Sequence, residues 1–325
     1  MKILITRFSS IGDIVLTSPV VRCLRNNLDN LELHYLTKDK FRYLLDSNPH
    51  LDKVYTFDRN INEVINSLLS ENYDLVIDLH NNLRTLILKY RLGVKSYSFK
   101  KLNFKKWLLI NFNLDLMPNI HLVDRYMDTL KHLEILNDLE GLDYFIDLED
   151  ESIFQNSFPY NKNSYIALVI GGNYEGKKLP PQSILELCKN LDQRIILLGD
   201  NNDRNTVEQY EEQFKINNVY NACGEFTLNE SAIIIKHASI VITNDTGLMH
   251  IASAFKKKII SLWGCTSPKL GMYPYFPDSK SVIIEPDHIK LRPCSKLGNR
   301  CKYGQAVCAK EISVFKIIEA VNDLV

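Results

Sequence analysis

The sequence has no long hydrophobic run. None of its 325 residues belongs to a stretch near the ~18 consecutive apolar residues that a membrane-spanning helix needs. The first residues, Met-Lys-Ile-Leu-Ile-Thr-Arg-Phe, place only three apolar side chains in succession, too few for the core of a secretory signal peptide. We therefore expect a soluble, cytoplasmic protein.

Net charge is also absent, because 39 Lys and Arg balance 39 Asp and Glu. A protein that binds nucleic acid over its whole surface would show a basic excess, so that class is excluded. The charged fraction of 24% and the apolar fraction of 45% are ordinary for globular proteins and exclude disordered and fibrous chains. The length suggests about two domains of ~100–200 residues each.

Glycine-rich nucleotide loops are missing as well. The loop after the first predicted strand, residues 7–13, contains a single glycine, Gly12, so it is not the Gly-x-Gly-x-x-Gly fingerprint of dinucleotide-binding proteins. No Gly-x-x-x-x-Gly-Lys-Ser/Thr sequence follows a strand either. Nicotinamide and flavin oxidoreductases and P-loop phosphoryl transferases are therefore disfavoured.

Short apolar runs alternate with amphipathic stretches along the chain. We predict strands at residues 2–6, 31–36, 53–57, 73–79, 96–99, 165–170, 194–198, 240–243 and 258–263. The predicted helices between them cover residues 19–28, 61–70, 83–92, 182–191, 204–215 and 228–236. This alternation is typical of βαβ units and a parallel sheet, in which ligands bind beyond the carboxyl ends of the strands.

The domain boundary is predicted in residues 147–164, an acidic and then Asn- and Pro-rich stretch without periodic pattern. Residues 309–325 have apolar side chains at helical spacing and predict a C-terminal helix. The resulting architecture is α/β. Two doubly wound, Rossmann-like domains (residues 1–155 and 164–309) are expected to face each other across a cleft, followed by a helix at 310–325.

Two turns that follow predicted strands carry candidate functional residues. Asp13 begins a helix, where it either caps the helix or acts as a general base, and Ser9 and Ser10 beside it would bind a polar ligand or close the turn. After the strand at 240–243, the amides of Thr246 and Gly247 stand at a helix start that suits a phosphate.

Two neighbours of that second turn complete the predicted site. Asp245 would accept hydrogen bonds from a ribose diol, and His250, one turn further along the helix, would face the same ligand. In the structural alternative, Asp245 or Asn244 caps the helix and His250 is a core histidine.

Three motifs together resemble glycosyltransferase family 9, the ADP-heptose:lipopolysaccharide heptosyltransferases. They are Arg7-x-Ser-Ser-Ile-Gly-Asp-x-x-x-Thr-x-Pro19, Gly171-Gly-Asn-Tyr-Glu-Gly-Lys-Lys-Leu-Pro180 and Asn244-Asp-Thr-Gly-Leu-Met-His250. The similarity spans the whole chain. It implies a GT-B fold with the acceptor on the first domain and the nucleotide-sugar on the second, and transfer with inversion and without a metal or other cofactor.

The resemblance also implies roles for individual residues. Asp13 matches the catalytic base and Lys177 a lysine that contacts the donor diphosphate. The remaining implied donor contacts are Gly172, Asn173, Phe226 on the nucleobase, Asp245, Thr246, Gly247 and His250, with Asp203 a further candidate near the nucleoside. The predicted acceptor contacts are Ser10, Gly12, Asn81 and Arg84. None of these motifs contains an Asp-x-Asp pair, the carboxylate arrangement that commonly binds a metal ion.

A basic segment at residues 79–114 carries eight Lys and Arg and no Asp or Glu. Its second part interleaves lysines with Phe99, Phe104 and Trp107, a composition that suits an anionic, amphiphilic partner at a membrane surface. A lipopolysaccharide-core or other lipid-linked glycan acceptor fits that description, with peripheral contact at the cytoplasmic face of the inner membrane. In the alternative, the aromatic rings pack inward beneath a solvated basic face.

Seven cysteines are present, and three of them, Cys294, Cys301 and Cys308, are evenly spaced near the C-terminus. Zinc sites usually combine Cys-x2–4-Cys pairs into four ligands, so this wider trio would need His288 as a fourth. A packing or local redox role is favoured, and no metal is expected. Cys265 and the remaining cysteines are predicted to be reduced core residues.

The function predicted from these features is transfer of a heptose or a related sugar from a nucleotide-diphosphate donor, with ADP-heptose favoured, to a lipopolysaccharide-core or lipid A-linked acceptor, with Asp13 as the general base. A nucleotide-sugar epimerase on the same fold is an enzymatic alternative that would need no acceptor. A non-catalytic nucleotide- or carbohydrate-binding protein is a second alternative, against which Asp13 argues.

Overall fold

The computed structural model describes residues 1–210 and 218–325. Its residue contacts divide these into two compact units. The first unit comprises Met1–Lys101 and Ile120–Phe145, and the second comprises Leu102–Asn119 and Ile146–Val325. Among the described residues, no helix is both long and apolar enough to cross a membrane.

Each unit contains a parallel sheet, as the sequence predicts. The first sheet comprises β1 (Lys2–Thr6), β2 (Glu32–Lys38), β3 (Lys53–Phe57), β4 (Leu75–Asp78) and β5 (Lys95–Ser98), in the order β3-β2-β1-β4-β5. The second comprises β6 (Tyr165–Val169), β7 (Arg194–Leu198), β8 (Val219–Asn221), β9 (Ile240–Asn244), β10 (Lys258–Leu262) and β11 (Val282–Ile284), in the order β11-β10-β9-β6-β7-β8.

The strand order places the candidate residues at equivalent points of the two sheets. In a doubly wound sheet the crevice for a ligand forms where the strand order reverses. That point lies between β1 and β4 in the first unit and between β6 and β9 in the second. Asp13 follows β1, and Lys177 and Asp245 follow β6 and β9. The second sheet has the strand order of a Rossmann fold.

All but the last two helices lie between these strands in the chain, and those two follow β11. In chain order they are α1 (Ile11–Val15), α2 (Ser18–Asn27), α3 (Ile65–Ser70), α4 (Leu83–Leu92), α5 (Asn103–Phe112), α6 (Leu122–Met127), α7 (Leu148–Ser157), α8 (Pro181–Asn190), α9 (Asn201–Glu208), α10 (Leu228–His237), α11 (Gly247–Ala254), α12 (Val307–Lys310) and α13 (Val314–Leu324). Short 3-10 turns complete the description, among them Glu175–Lys177 after β6.

The predicted linker is wrong in one respect, because most of it is helix α7. Asp147 caps this helix by accepting hydrogen bonds from the backbone N–H groups of Glu149 and Asp150. Phe154 is buried against Phe226, with the ring centroids 5.2 Å apart. These contacts give α7 a place in the core of the second unit.

Other boundaries also differ from the prediction. The division between the units falls after Phe145 rather than near residue 155, and residues 102–119 group with the second unit. The C-terminal helix is interrupted between α12 and α13, and Ile317, Val321 and Leu324 of α13 are part of the second unit's core. The helix predicted at 204–215 is α9 in its first part, and its residues 211–215 lie outside the described residues.

Candidate functional site

The loop after β1 holds the Asp13 carboxylate by both oxygens. Asp13 Oδ1 forms an ion pair with Arg7 Nη2 at 2.7 Å. Asp13 Oδ2 accepts a hydrogen bond from Ser10 Oγ at 2.8 Å and one from the Ser10 backbone N–H at 3.3 Å. Ser10 is the N-cap of α1 and Asp13 its third residue, so the two form a capping box. The carboxylate is therefore fixed in direction before any ligand binds.

Arg7 is the residue that positions this carboxylate. Its guanidinium also donates to the carbonyl oxygens of Ser9 at 2.7 Å and Leu79 at 2.6 Å, and so joins the loop after β1 to the end of β4. Burial lowers the pKa of Arg7, but the charge of Asp13 and the nearby phenols of Tyr126 and Tyr35 outweigh it and raise the pKa overall. Arg7 is thus a permanent cation beside Asp13.

Asp13 serves the fold and retains the capacity for chemistry. A carboxylate accepts hydrogen bonds at about four lone-pair sites, so the contacts that anchor Asp13 do not by themselves prevent it from acting as a base. Its side chain is 19% exposed, which allows a ligand to reach it. The geometry is compatible with both readings of Asp13, since a helix-capping carboxylate can also accept a proton.

His80 is a candidate that sequence reasoning missed. It directly follows Leu79 at the end of β4, and its ring lies 4.7 Å from the ring of Phe8 in the Asp13 loop. Burial, and then the charges of Arg7 and Lys101, lower the pKa of His80 to about 4. Its Nδ1 is buried without a hydrogen-bond partner among residues 1–210 and 218–325. A single histidine without a motif gives no signal except its place after a strand.

The four predicted acceptor residues have different surroundings. Ser10 contacts Asp13, and Gly12 is buried within α1. The Asn81 side chain donates to the Phe99 carbonyl at 2.9 Å and so shapes the turn after β4. Arg84 is exposed on the first turn of α4. Ser10 and Asn81 are therefore on the two loops at the sheet edge, whereas Gly12 lies in the first turn of α1 and Arg84 in the first turn of α4.

In the second unit, Lys177 and Asp245 form an ion pair between the loops that follow β6 and β9. Lys177 Nζ lies 2.8 Å from Asp245 Oδ2 and donates to the Asp245 backbone carbonyl at 2.9 Å. The two side chains are 17% and 12% exposed. Residues 68 positions apart in the chain thus meet because β6 and β9 are neighbours in the sheet.

Helix α11 begins beside this ion pair with an N-terminus that no side chain caps. Thr246 is the N-cap residue, and its side chain makes no capping hydrogen bond. The alternative in which Asp245 or Asn244 caps this helix is wrong. Asn244 Nδ2 instead lies 3.3–3.4 Å from the carbonyl oxygens of Val169, Ile170 and Gly171 at the end of β6. The first amides of α11 remain suited to an anion.

The other predicted donor residues are near this turn or in the surrounding core. A β-carbon on Gly172 would lie 3.6 Å from Thr246 Cγ2, which places Gly172 beside the helix N-terminus. Asn173 is exposed on the same loop, and His250 is buried one turn into α11, at 2% exposure. Phe226 is half-buried against Phe154 and Phe158, so its contact with a nucleobase stays a prediction.

Asp203 has a structural role in this unit. It is buried, accepts a hydrogen bond from the Asp200 backbone N–H at 2.9 Å in the capping box of α9, and pairs with Lys178 Nζ at 2.9 Å. A β-carbon on Gly171 would come within 2.7 Å of Asp203 Oδ2, so Asp203 packs directly beneath the loop after β6. Its place near a nucleoside stays a prediction.

Two groups of potential metal ligands occur among the described residues, and neither includes Asp13, Lys177 or Asp245. Glu32, His34 and Glu71 form one group, in which Lys2 Nζ already pairs with both carboxylates, at 3.0 Å and 2.6 Å. The second group consists of Cys265, Cys294, Cys301 and Cys308.

Comparison with known proteins identifies the family. The family model described as glycosyltransferase family 9 (heptosyltransferase) matches residues 61–302. The chain belongs to glycosyltransferase family 9. It is a glycosyltransferase with two Rossmann-like units, as the resemblance implied.

Individual relatives agree with this family. The lipopolysaccharide heptosyltransferase 1 of Campylobacter coli is 25% identical over 82% of this chain and 84% of its own length. Among solved structures, the family 9 glycosyl transferase of Veillonella parvula superposes with a TM-score of 0.81 at 23% identity, covering 99% of this chain and 96% of its own. The Escherichia coli ADP-heptose lps heptosyltransferase II gives 0.77 at 19% identity, covering 100% and 98%. Both structures support the fold of the family.

Proposed function

We propose that this glycosyltransferase moves a heptose from ADP-heptose to a lipopolysaccharide-core acceptor, with inversion and with Asp13 as the base. The Campylobacter coli relative is a lipopolysaccharide heptosyltransferase, which supports heptose as the sugar. The observation that carries the proposal is the Lys177–Asp245 pair beside the uncapped N-terminus of α11. A site of this kind suits a diphosphate joined to a ribose.

The donor half of the reaction needs the negative charge of the leaving nucleoside diphosphate to be stabilised. Lys177 provides a cation on a flexible stem, and the amides at the start of α11 provide oriented dipoles. Together they neutralise the diphosphate without requiring a metal ion. When Lys177 turns to the phosphates, the Asp245 carboxylate becomes available to the ribose hydroxyls.

The acceptor half needs a group that removes a proton. The acceptor hydroxyl oxygen attacks the anomeric carbon on the face opposite to the diphosphate, the bond to the diphosphate oxygen breaks, and the hydroxyl proton passes to Asp13. This single displacement inverts the anomeric centre. Arg7 and Ser10 hold Asp13 in position, and the neutral imidazole of His80 supplies a polar contact for the acceptor on the neighbouring loop.

The decisive experiment compares transfer with donor binding. We expect Asp13→Asn to bind ADP-heptose as the wild type does, because the donor residues lie in the second unit, and to lose transfer by at least about 100-fold, the lower range of a general base. Asp58→Asn, at an exposed aspartate, is the matched control. Calorimetry measures binding and chromatography measures product. Near-normal turnover by Asp13→Asn would remove Asp13 from the mechanism.

Two alternatives are separated by the same materials. A nucleotide-sugar epimerase would convert the donor without an acceptor, so a new nucleotide-sugar in the absence of acceptor would favour it. A non-catalytic binding protein would bind the donor and form no product with any acceptor. A thermal-shift screen with ADP-, UDP-, GDP- and CDP-linked sugars identifies the nucleobase of the donor, since the true donor stabilises the folded state most.

An anionic, lipid-linked acceptor is supported by two exposed surfaces. On α4, Leu83, Leu86, Ile87 and Tyr90 form one apolar face, exposed by 71%, 58%, 40% and 87%, with Arg84 beside it. On α5, Phe104, Trp107 and Phe112 are at least half exposed. Of the aromatic rings in the basic segment, Phe99 packs inward, while Phe104 and Trp107 do not, so the alternative of inward packing is wrong for those two.

Membrane contact is tested on α4 with vesicles of phosphatidylglycerol. We expect Leu86→Ser with Tyr90→Ser to reduce flotation with the vesicles several-fold, because apolar side chains and basic residues act together at an anionic interface. Phe315→Ser on α13, where the ring is 71% exposed, is the matched control. Equal flotation of the α4 variant and the wild type would show that the apolar face of α4 does not bind the membrane and would favour the alternative of a solvated basic face.

A further inference from the structure

Four cysteines from separate parts of the second unit come together around one point. Cys265 follows β10, Cys294 and Cys301 lie in the loop before α12, and Cys308 is within α12. The four Sγ atoms all lie within 4.8 Å of one another. The fourth partner of the evenly spaced trio is thus Cys265 rather than His288, and Cys265 is buried and free of a disulfide, as predicted.

The sulfur separations correspond to those of four thiolates around one ion. Cys308 Sγ lies 3.4 Å from Cys294 Sγ and 3.7 Å from Cys301 Sγ. A tetrahedral zinc site with Zn–S bonds of about 2.3 Å places its sulfurs about 3.8 Å apart. A disulfide would need about 2.05 Å. A cluster of several irons would hold its cysteines further apart than a single ion does.

The surroundings of the four thiols are those of a structural metal site. Cys265, Cys294 and Cys308 are fully buried, and Cys301 is half-buried. The Cys294 backbone N–H donates to the Cys265 carbonyl at 2.7 Å, so a backbone hydrogen bond holds two of the four cysteines beside each other.

We propose that Cys265, Cys294, Cys301 and Cys308 bind one thiophilic metal ion in a tetrathiolate site that holds the Lys177 turn of the donor site in place. Four thiolates in tetrahedral arrangement select zinc or iron over hard cations, which prefer oxygen ligands. Metal binding stands independently of the reaction, whereas its effect on the donor rests on the proposed function. The site supplies no group to the transfer step.

The connection to the donor site is a set of close backbone contacts. The Cys265 backbone N–H donates to the Gly176 carbonyl at 2.7 Å. A β-carbon on Gly176 would lie 2.4 Å from the Gly298 carbonyl oxygen and 2.9 Å from Cys265 Sγ. Gly298, at φ +78°, would bring a β-carbon within 2.7 Å of Lys177 Cγ. The loop that contains Cys294 and Cys301 therefore packs directly against the turn that places Lys177 beside Asp245.

The first test is metal analysis of the full chain, purified without an affinity tag and without added metal or chelator. We expect about one equivalent of zinc or iron per chain. Cys301→Ala should lose it, whereas Cys188→Ala, at a buried cysteine elsewhere in the same unit, should keep it. Cobalt exchanged into the site should show the visible bands of a tetrahedral tetrathiolate, which neither an ion on the surface nor a partial ligand set produces.

Each result of this test supports or overturns the proposal. One equivalent of colourless zinc or of coloured iron supports the site and identifies the ion. Less than about a tenth of an equivalent of any metal, with all seven thiols titrating in denaturant, overturns it. Three titratable thiols would also overturn it, because the cluster would then hold two disulfides. Equal metal content in Cys301→Ala and the wild type would show an adventitious ion.

The second test measures ADP binding by calorimetry in holo protein and in protein treated with a chelator. We expect the loss of metal to weaken ADP binding about tenfold, and added zinc or iron to restore it. Equal binding with and without metal would overturn the connection to Lys177 while leaving the metal site intact. Holo protein that contains stoichiometric metal and does not bind ADP would instead contradict the proposed donor.

Discussion

At the scale of single residues, the proposed donor site depends on one lysine, Lys177, which the Asp245 carboxylate holds in place. Lys177 and Asp245 are both mostly buried, so each needs the other's charge in the absence of ligand. In the proposed function, the phosphates of the donor replace the carboxylate as the partner of Lys177. A hydrogen bond to a charged group contributes about 1.5–3 kcal/mol, so the lysine should account for a measurable share of donor affinity.

We expect Lys177→Gln to weaken ADP binding by about 10- to 100-fold, which corresponds to that range of free energy. Lys178→Gln is the matched control, because Lys178 is the next residue and pairs with the structural Asp203 instead. Calorimetry on both variants measures the effect, and thermal melts confirm that they fold. A Lys177→Gln variant that binds ADP as tightly as the wild type would contradict the assigned role.

His80 makes a pH-dependent contribution to stability whose sign follows from its environment. Burial, Arg7 and Lys101 lower its pKa from the ordinary 6.5 to about 4 in the folded protein. Between these values the unfolded chain binds more protons than the folded one, so stability falls as the pH drops from 6.5 to 4. Because the side chain is half-buried, we expect on the order of 1–2 kcal/mol from it over this interval.

Urea unfolding of wild type and His80→Gln at pH 6.5 and pH 4.5 measures this contribution. The wild type should lose more stability than the variant on acidification, since glutamine does not titrate. His132→Gln, at an exposed histidine stacked on Tyr97, should behave like the wild type. Equal losses in wild type and His80→Gln would show that His80 titrates freely in the folded protein.

At the scale of elements, helix α7 shows how a segment without a clear pattern becomes part of a core. Its first turn is acidic and capped by Asp147, and its buried residues, Glu151 and Phe154, lie one turn apart. Glu151 pairs with Lys236 at 2.7 Å and with His237 at 2.8 Å at the end of α10. Helix α7 is thus held to the second unit by charge and by aromatic packing.

We expect Phe154→Ala to lower the free energy of unfolding of the second unit by about 3–5 kcal/mol, the usual cost of deleting a buried aromatic ring. Ile153→Ala, one residue earlier and 62% exposed, should change it by less than about 0.5 kcal/mol. Denaturant titration with a probe in the second unit measures both. If the two variants are equally stable, α7 has the role of a linker after all.

The elements that could be predicted are those whose signal is local. The runs that form β1, β6 and β9 are apolar on both faces, and their ends correctly located the loops of Asp13, Lys177 and Asp245. The strands β8 and β11, with three residues each, are too short for a pattern and were missed. Helix α7 was missed because acidic residues separate its few apolar ones.

Contacts between distant parts of the chain account for the rest of what the sequence does not reveal. Cys265 stands 29 residues before Cys294 and follows a buried strand, so spacing alone placed it in the core. His80 has no motif around it, and only the pairing of β1 with β4 brings it near Phe8 and the Asp13 loop. Such juxtapositions follow from sheet order, which local periodicity does not determine.

At the scale of the whole molecule, the net charge of zero combines a segment that has only basic charges, residues 79–114, with a remainder in which acidic residues are in excess. The basic segment at 79–114 is divided between the units, with residues up to Lys101 in the first and from Leu102 in the second. The proposed donor residues, in contrast, all belong to the second unit, and Asp13 with His80 belongs to the first. The proposed function therefore assigns donor binding and proton removal to separate units of the chain.

This separation predicts where ADP should slow hydrogen exchange in the full chain. We expect protection in residues 171–178 and 244–250, because their amides surround the Lys177–Asp245 pair and the start of α11. At a concentration of 100 Kd, binding adds about 2.7 kcal/mol to the stability of the state that binds, enough to slow local opening about 100-fold. Mass spectrometry of peptides with and without ADP measures this directly.

Residues 7–13 and 78–84 are the internal control, since they carry the proposed base and acceptor contacts and no donor contact. Their exchange should change less with ADP than that of the donor loops. Lys177→Gln at the same ADP concentration should lose most of the protection at 171–178, because less of it is bound. Protection confined to 7–13 and 78–84 would instead place the nucleotide on the first unit and reverse the assignment of the two sites.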